Sequence, residues 1–173
     1  AGAQEVLRML VDKGHRHIGM LKESQGYYQL TERVKAYRQV VFEYKLPFEE
    51  SYICSGQLTI SGGYHAAREV LKNKKITAIF CGNDEMALGC YQAIYEAGLK
   101  IPEDISVVGF DGLEVSEYMV PPLTTVFQPS SEIGFSAAKF LVDAINFPSQ
   151  RIPNKIFRTK LIIRESVKKV DQG

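Results

Sequence analysis

The sequence lacks several features that would assign the chain to a specialised class. It contains no run of 18 or more apolar residues, which predicts that it has no transmembrane helix. No basic-then-apolar leader opens it. Neither sign of charge dominates, because 21 Lys and Arg stand against 20 Asp and Glu for a formal net charge of +1. This balance argues against a dedicated nucleic-acid surface, which normally shows a strong basic excess.

Cysteine and catalytic motifs are scarce as well. The three cysteines are an odd number without paired spacing, which is typical of a reduced cytoplasmic protein with small, mostly buried thiols. No Gly-rich dinucleotide turn, phosphate loop, nucleophile elbow or HExxH run occurs, and the three histidines lie apart in the sequence. We therefore predict a binding protein and not an enzyme, with no metal site and no cofactor.

The pattern that is present alternates helical and strand-like segments over 173 residues, about the length of one α/β domain. Apolar residues recur with a period near 3.6 in some segments and form short β-rich runs in others. This alternation predicts an α/β fold, with three α/β/α layers around a mainly parallel sheet. The predicted strands are 17–21, 52–54, 77–80, 105–109, 124–127 and 155–163.

A ligand site is expected at one edge of this sheet. Ligands of open parallel sheets bind beyond the carboxyl ends of the strands, where helix N-termini also point. Carboxylate, carboxamide and guanidinium groups there can bond several hydroxyl or amide groups at once, which suits a sugar, a nucleoside or a purine. The positions at that edge are Glu23, Ser24, Gln57, Leu58, Asn83, Asp84 and Asp111, with Arg33 from the first turn of the second helix.

Each of these residues also has an ordinary structural role open to it. Asn83 can cap the helix that it precedes, and Asp84 can be a first-turn charge favoured by the helix dipole. Asp111 can stabilise the turn after its strand, and Arg33 alone is more often a surface cation. The prediction of a binding site therefore depends on their shared edge.

Three runs of sequence carry a resemblance to a known family. CGNDEMALG from Cys81, IPEDISVVGFDG from Ile101 and PPLTTVFQP from Pro121 resemble the lactose/galactose repressor (LacI/GalR) family of bacterial transcription regulators. GHRHIG, ERVKAY and the closing RTKLIIRESV are similar to the same family. The resemblance covers almost the whole chain. It implies a type I periplasmic-binding-protein-like lobe that senses a small effector.

The resemblance also implies how the chain is organised. Residues 1–127 would form the C-terminal lobe of the effector-binding domain. Residues 128–150 would be a crossover helix that belongs to the N-terminal lobe, and 151–173 a return strand and tail. Ala1 leads straight into a helical pattern without an initiator Met, so we expect a fragment or a processed product. The resemblance implies that the DNA-binding domain is absent from this chain. The crossover helix would then lack part of its packing surface.

Individual positions can be transferred from the family. Arg33 falls at the effector-binding arginine, Asn83 at a ligand-contacting polar position, and Asp111 at the aspartate that commonly grips the effector with both oxygens. Gln128 lies at the joint between the lobes, close to the cleft. Leu58 departs from the pattern, because many relatives have an aromatic residue there to stack on the ligand.

The family further implies a homodimer through this lobe. Operator DNA would be bound only through a domain missing from this chain, and no membrane is expected to take part. A periplasmic sugar-binding protein of an uptake system is the alternative, since such proteins share the fold. The candidate interface residues are Ala87, Cys90, Tyr91 and Ile94 on the helix after Asn83, and Tyr118, Met119 and Val120 before two prolines.

Overall fold

The computed structural model describes residues 2–24, 28–148 and 153–170, with the side chains of 28–31 left aside. Helices and strands alternate along the chain, as the sequence pattern predicts. The helices are α1 (Gly2–Asp12), α2 (Tyr28–Glu43), α3 (Ile60–Val70), α4 (Asp84–Glu96), α5 (Val115–Tyr118) and α6 (Ser130–Asn146), with a 3-10 turn at Glu50–Tyr52. The strands are β1 (Ile18–Glu23), β2 (Ile53–Gly56), β3 (Ala78–Cys81), β4 (Ser106–Val108), β5 (Thr125–Phe127) and β6 (Lys160–Ile162).

Four of these strands form a parallel sheet in the order β2-β1-β3-β4. β5 continues it, because parallel bridges join Val108 to Thr124 and Asp111 to Phe127. β6 then pairs antiparallel with β5. Since the parallel strands all end at the same edge, the loops that follow them are brought together there.

The core lies on both faces of the sheet. Because side chains alternate along a strand, Leu21 and Ile79 face the α3 and α4 side, whereas Met20 and Phe80 face the α1 and α2 side. Each fully buried side chain of this size contributes about 1.5–3 kcal/mol to folding. The three-layer α/β/α prediction is confirmed.

Helices α3 and α4 pack with their backbones in contact. A Cβ atom at Gly89 would lie 1.9 Å from the carbonyl oxygen of Ile60, and one at Gly63 would lie 2.2 Å from that of Met86. Glycine is required at both crossing points, since any side chain would force the helices apart. This close contact fixes the N-terminus of α4 beside the sheet edge.

Two details of the sequence prediction are corrected. The last strand is shorter than 155–163, because only Lys160–Ile162 pairs with β5 and Ile156 is 92% exposed. The sequence pattern also missed α5. The cysteines are free, as expected, with Cys81 and Cys90 buried and Cys54 half-buried.

Candidate functional site

The site is built around Asp111, in the turn that follows β4. Asp111 has a φ of 109°, and the next residue, Gly112, has a φ of 71°. The Asp111 N–H donates to the Val126 carbonyl at 2.9 Å, and its own carbonyl accepts from the Gln128 N–H at 3.1 Å. These bonds hold the Asp111 backbone against β5 and the residue that follows it, so the position of the Asp111 carboxylate is fixed.

Arg33 and Gln128 converge on the same carboxylate oxygen. Arg33 Nη2 donates to Asp111 Oδ1 at 3.2 Å, and Gln128 Nε2 donates to it at 2.6 Å. The Asp111 side chain stays 28% exposed. Burial raises the pKa of Asp111, while the charge of Arg33 and the bond from Gln128 oppose that rise. The carboxylate thus has one engaged oxygen, and Oδ2 receives no bond from these two partners.

Arg33 is held from three directions. Besides its bond to Asp111, Nη1 donates to the Gly82 carbonyl, and the guanidinium lies 3.9 Å from the centre of the Phe110 ring. Burial lowers the pKa of Arg33, and the negative charge of Asp111 opposes the shift. A guanidinium stacked on an aromatic face and paired with a carboxylate is a fixed donor group, not a mobile surface cation. No local sequence pattern reveals that Gly82 and Phe110 hold Arg33 in place.

Asn83 serves as the N-cap of α4, the structural role that the sequence left open. Its side-chain oxygen accepts from the Met86 N–H at 2.8 Å. Asn83 follows Gly82, whose carbonyl Arg33 binds, so the cap lies beside the arginine without bonding to Asp111. We call Arg33, Asn83, Asp111 and Gln128 the polar edge.

Asp84 lies beneath the polar edge and supports it. It is fully buried, accepting from Thr125 Oγ1 at 2.6 Å and from the Leu113 N–H at 2.7 Å. Burial raises the pKa of Asp84 to about 6, although these two bonds and one from the Gly112 N–H act against the rise. Asp84 therefore ties the start of α4 to the Asp111 turn and to β5, a bridging role that the sequence did not reveal.

The remaining predicted edge positions border this cluster. Leu58 is half-buried against the core, and its Cδ2 lies 3.7 Å from where a Cβ of Gly82 would be. Ser24 and Gln57 are exposed. Glu23 ends β1, and its buried Oε2 has no hydrogen-bond partner within the described ranges. The edge is thus polar around Arg33 and apolar at Leu58.

The predicted dimer interface needs correction at five positions. Ala87, Cys90, Tyr91, Ile94 and Met119 are at most 5% exposed and belong to the core cluster between the sheet and α3 and α4. They cannot form a surface, so that part of the prediction is wrong.

Tyr118 and Val120, in contrast, are 73% and 79% exposed. Two tyrosines of α4 hold the backbone of this segment in place. The Tyr95 hydroxyl donates to the Val120 carbonyl, and the Tyr91 hydroxyl donates to the Pro121 carbonyl. The side chains of Tyr118 and Val120 therefore project from a fixed support.

Within the described ranges, no cluster of three or more His, Cys, Asp or Glu residues could hold a metal ion. None of the helices in this part of the chain combines the length and apolar character needed to span a bilayer.

Comparison with known proteins identifies a family for this arrangement. Residues 7–167 match the family model described as the periplasmic binding protein-like domain. The probable HTH-type transcriptional repressor ExuR of Bacillus subtilis (strain 168) is 31% identical over 170 residues, which are 98% of this chain and 51% of that protein. The ribose operon repressor of Escherichia coli (strain K12) is 36% identical over 149 residues, which are 86% of this chain and 45% of that protein. The chain spans about half the length of the curated relatives it matches.

A solved structure agrees with this assignment. A LacI family transcriptional regulator from Enterococcus faecium, with bound ribose, superposes with a TM-score of 0.90 at 30% identity. The match covers 98% of this chain and 63% of that one.

Proposed function

Because the chain belongs to the periplasmic binding protein-like domain family, among the LacI-type regulators, we propose that it senses a small polar effector for a transcriptional repressor. The effector binds at the polar edge and faces the second lobe of the sensor. The repressor binds operator DNA through a separate domain and acts in the cytoplasm. The relatives described above are repressors or regulators, which supports this function over the periplasmic uptake protein that the sequence left open.

One observation carries the proposal: Arg33 and Gln128 both bond Asp111 Oδ1, so the carboxylate is fixed with Oδ2 left over for a ligand. A hydrogen bond to a charged group contributes about 1.5–3 kcal/mol when it is shielded from water. A carboxylate beside a guanidinium offers acceptors and donors side by side, and adjacent ring hydroxyls need both. The edge therefore suits a polyhydroxylated ligand, and the ribose bound to the Enterococcus faecium regulator supports that class.

Binding would act on DNA through the relative arrangement of two lobes. A ligand shifts such an equilibrium only by its differential affinity for the two states, and a coupling of about 1–3 kcal/mol is ordinary. We propose that residues 1–127 form the C-terminal lobe and 128–150 cross to the other lobe, with 151–173 as return strand and tail. The exposure of apolar residues on α6 supports the crossover, since Phe135, Leu141 and Ile145 are 63–73% exposed.

The regulator would also pair with a second copy through this lobe. Tyr118 and Val120 are the residues that we propose for that contact, because they are apolar, exposed and close together in the chain. The hydroxyls of Tyr91 and Tyr95 on α4 bond the carbonyls of their segment, which gives the patch a rigid base.

The experiment is an Asp111→Asn substitution in the full-length regulator, with operator binding measured with and without effector. Asn tolerates a positive φ, so the turn should keep its shape while the charge is lost. We expect operator affinity without effector to stay within about twofold, and the effector concentration for half-maximal response to rise roughly tenfold to a hundredfold. An unchanged effector response would remove Asp111 from the site and refute the proposal.

A further inference from the structure

The strongest unexplained feature near the polar edge is the side chain of Glu23. Its Oε2 atom is buried and has no hydrogen-bond partner among the residues that the structure describes. Buried carboxylate oxygens are normally bonded, because leaving a charged acceptor unsatisfied costs more than a single hydrogen bond contributes. A donor that the described residues do not supply is therefore expected at this atom.

The register of the sheet puts Glu23 at the sheet edge where the site lies. β1 pairs with β3 only as far as Leu21 and Cys81, and it pairs with β2 as far as Glu23 and Gly56. Glu23 thus reaches past the end of β3, level with the turn in which Arg33 binds the Gly82 carbonyl. Side chains two apart on a strand share a face, so Glu23 lies on the Leu21 side of the sheet, as does Leu58.

At this edge of the sheet, carboxylate acceptors outnumber the cationic donors that are free to bond them. Arg33 is already occupied by Asp111, the Gly82 carbonyl and the Phe110 ring. Lys22 donates to the backbone carbonyl of Glu23 at 3.3 Å. Glu85, exposed in the first turn of α4, is close enough for its charge to raise the pKa of Asp111. A ligand entering here meets carboxylates with spare acceptor capacity.

We propose that Glu23 is a specificity-determining residue that accepts a hydrogen bond from the effector, and that it selects neutral or amino sugars over phosphorylated sugars and sugar acids. This inference rests on the function proposed above and adds the charge class of the ligand. A hydroxyl or ammonium group supplies the missing donor to Oε2. A phosphate or carboxylate at this position would be repelled by the negative charge of Glu23 and would not supply the hydrogen bond to Oε2. Both effects favour neutral sugars over anionic ones.

Calorimetric titration of the full-length protein with two matched pairs of probes tests the assignment. The pairs are D-ribose with D-ribose 5-phosphate, and D-galactose with D-galacturonate. We expect wild type to bind a neutral sugar more tightly than its anionic counterpart. Glu23→Gln should weaken binding of that neutral sugar roughly tenfold to a hundredfold, and it should narrow or reverse the preference within the pair.

Glu69→Gln is the matched control, because Glu69 is exposed near the end of α3 and pairs with Lys72 just beyond the helix. It should leave all affinities unchanged. The assignment is overturned if an anionic probe is the tighter binder in wild type, if neither neutral sugar binds, or if Glu23→Gln stays within threefold of wild type. If Asp111→Asn abolishes binding and Glu23→Gln does not weaken it, the sensing function stands and only the role of Glu23 fails.

Discussion

Asp111 holds its carboxylate on a backbone conformation that most residues avoid. Its φ of 109° lies outside the regions that ordinary side chains prefer, and such a residue costs about 1–3 kcal/mol unless its surroundings enforce it. Here the enforcement is visible as two backbone bonds to β5 and its following residue, Gln128. The carboxylate is therefore aimed before a ligand arrives, which reduces the entropy lost on binding.

Two buried titratable residues should give the stability opposite dependences on pH. His15 is fully buried, with Nδ1 2.9 Å from Thr77 Oγ1 and Nε2 3.2 Å from the Lys168 carbonyl. Burial lowers the pKa of His15 to about 4, below its ordinary 6.5. The folded state thus binds the proton less readily than the unfolded state. The stability linked to His15 is present above pH 6.5 and is lost as the pH falls towards 4.

Asp84 has the opposite sign, because its pKa is raised from 3.8 to about 6 on folding. Its linked stability is present below pH 3.8 and is lost as the pH rises through 6. As the pH is lowered from 6.5 to 4, we expect the free energy of unfolding of wild type minus that of His15→Gln to decrease. As the pH is lowered from 6 to 4, we expect the corresponding difference for Asp84→Asn to increase. Each difference should change by at most about 1.4 kcal/mol per pH unit.

Urea denaturation followed by circular dichroism from pH 4 to 7 measures both differences. Subtracting each variant from wild type cancels the titration of groups that do not interact with the substituted residue. Parallel wild-type and variant profiles would show that neither group titrates as its burial requires.

At the scale of elements, the sequence predicted most of what depends on local pattern. Asn83 is the N-cap of α4, as its position before helical periodicity indicates. The polar edge could be predicted because parallel strands end together. The contacts of Arg33 with the Gly82 carbonyl and the Phe110 ring could not be predicted, because they join residues far apart in sequence and leave no local pattern.

The interface prediction on α4 failed for a physical reason. Ala87, Cys90, Tyr91 and Ile94 recur at intervals of three and four, which is the spacing of a helix face buried in its own core. Periodicity alone cannot separate a face that packs on a sheet from one that packs on a partner. The segment with Tyr118 and Val120 lacks such periodicity, and it is the part that remains exposed.

The dimer proposal is tested on that segment. We expect the double variant Tyr118→Ser, Val120→Glu to raise the dimer dissociation constant at least tenfold, because a charge replaces an apolar contact. Phe42→Ser is the matched control, since Phe42 is 86% exposed on α2, across the sheet from α4. Sedimentation equilibrium measures both. A monomeric wild type, or a double variant that associates as tightly as wild type, would refute the interface.

At the scale of the whole molecule, the described residues form a core on both faces of the sheet and leave the polar edge open. The sheet is covered on both faces, whereas Ser136 is the one residue of α6 that is buried. The polar edge likewise offers ligand groups on one side only. Both features are expected if, as we propose, a second lobe closes over the effector and covers α6.

We propose that a small polar solute binds at the polar edge, where Arg33 and Gln128 hold Asp111. Thermal unfolding of the full-length protein in a concentration series of neutral sugars tests it most directly, because a ligand that binds only the folded state stabilises it by about RT ln(1 + [L]/Kd). We predict that at least one sugar raises the unfolding temperature of wild type in a concentration-dependent way, and that Asp111→Asn needs at least tenfold more sugar for the same shift. Equal shifts in wild type and Asp111→Asn would contradict the claim.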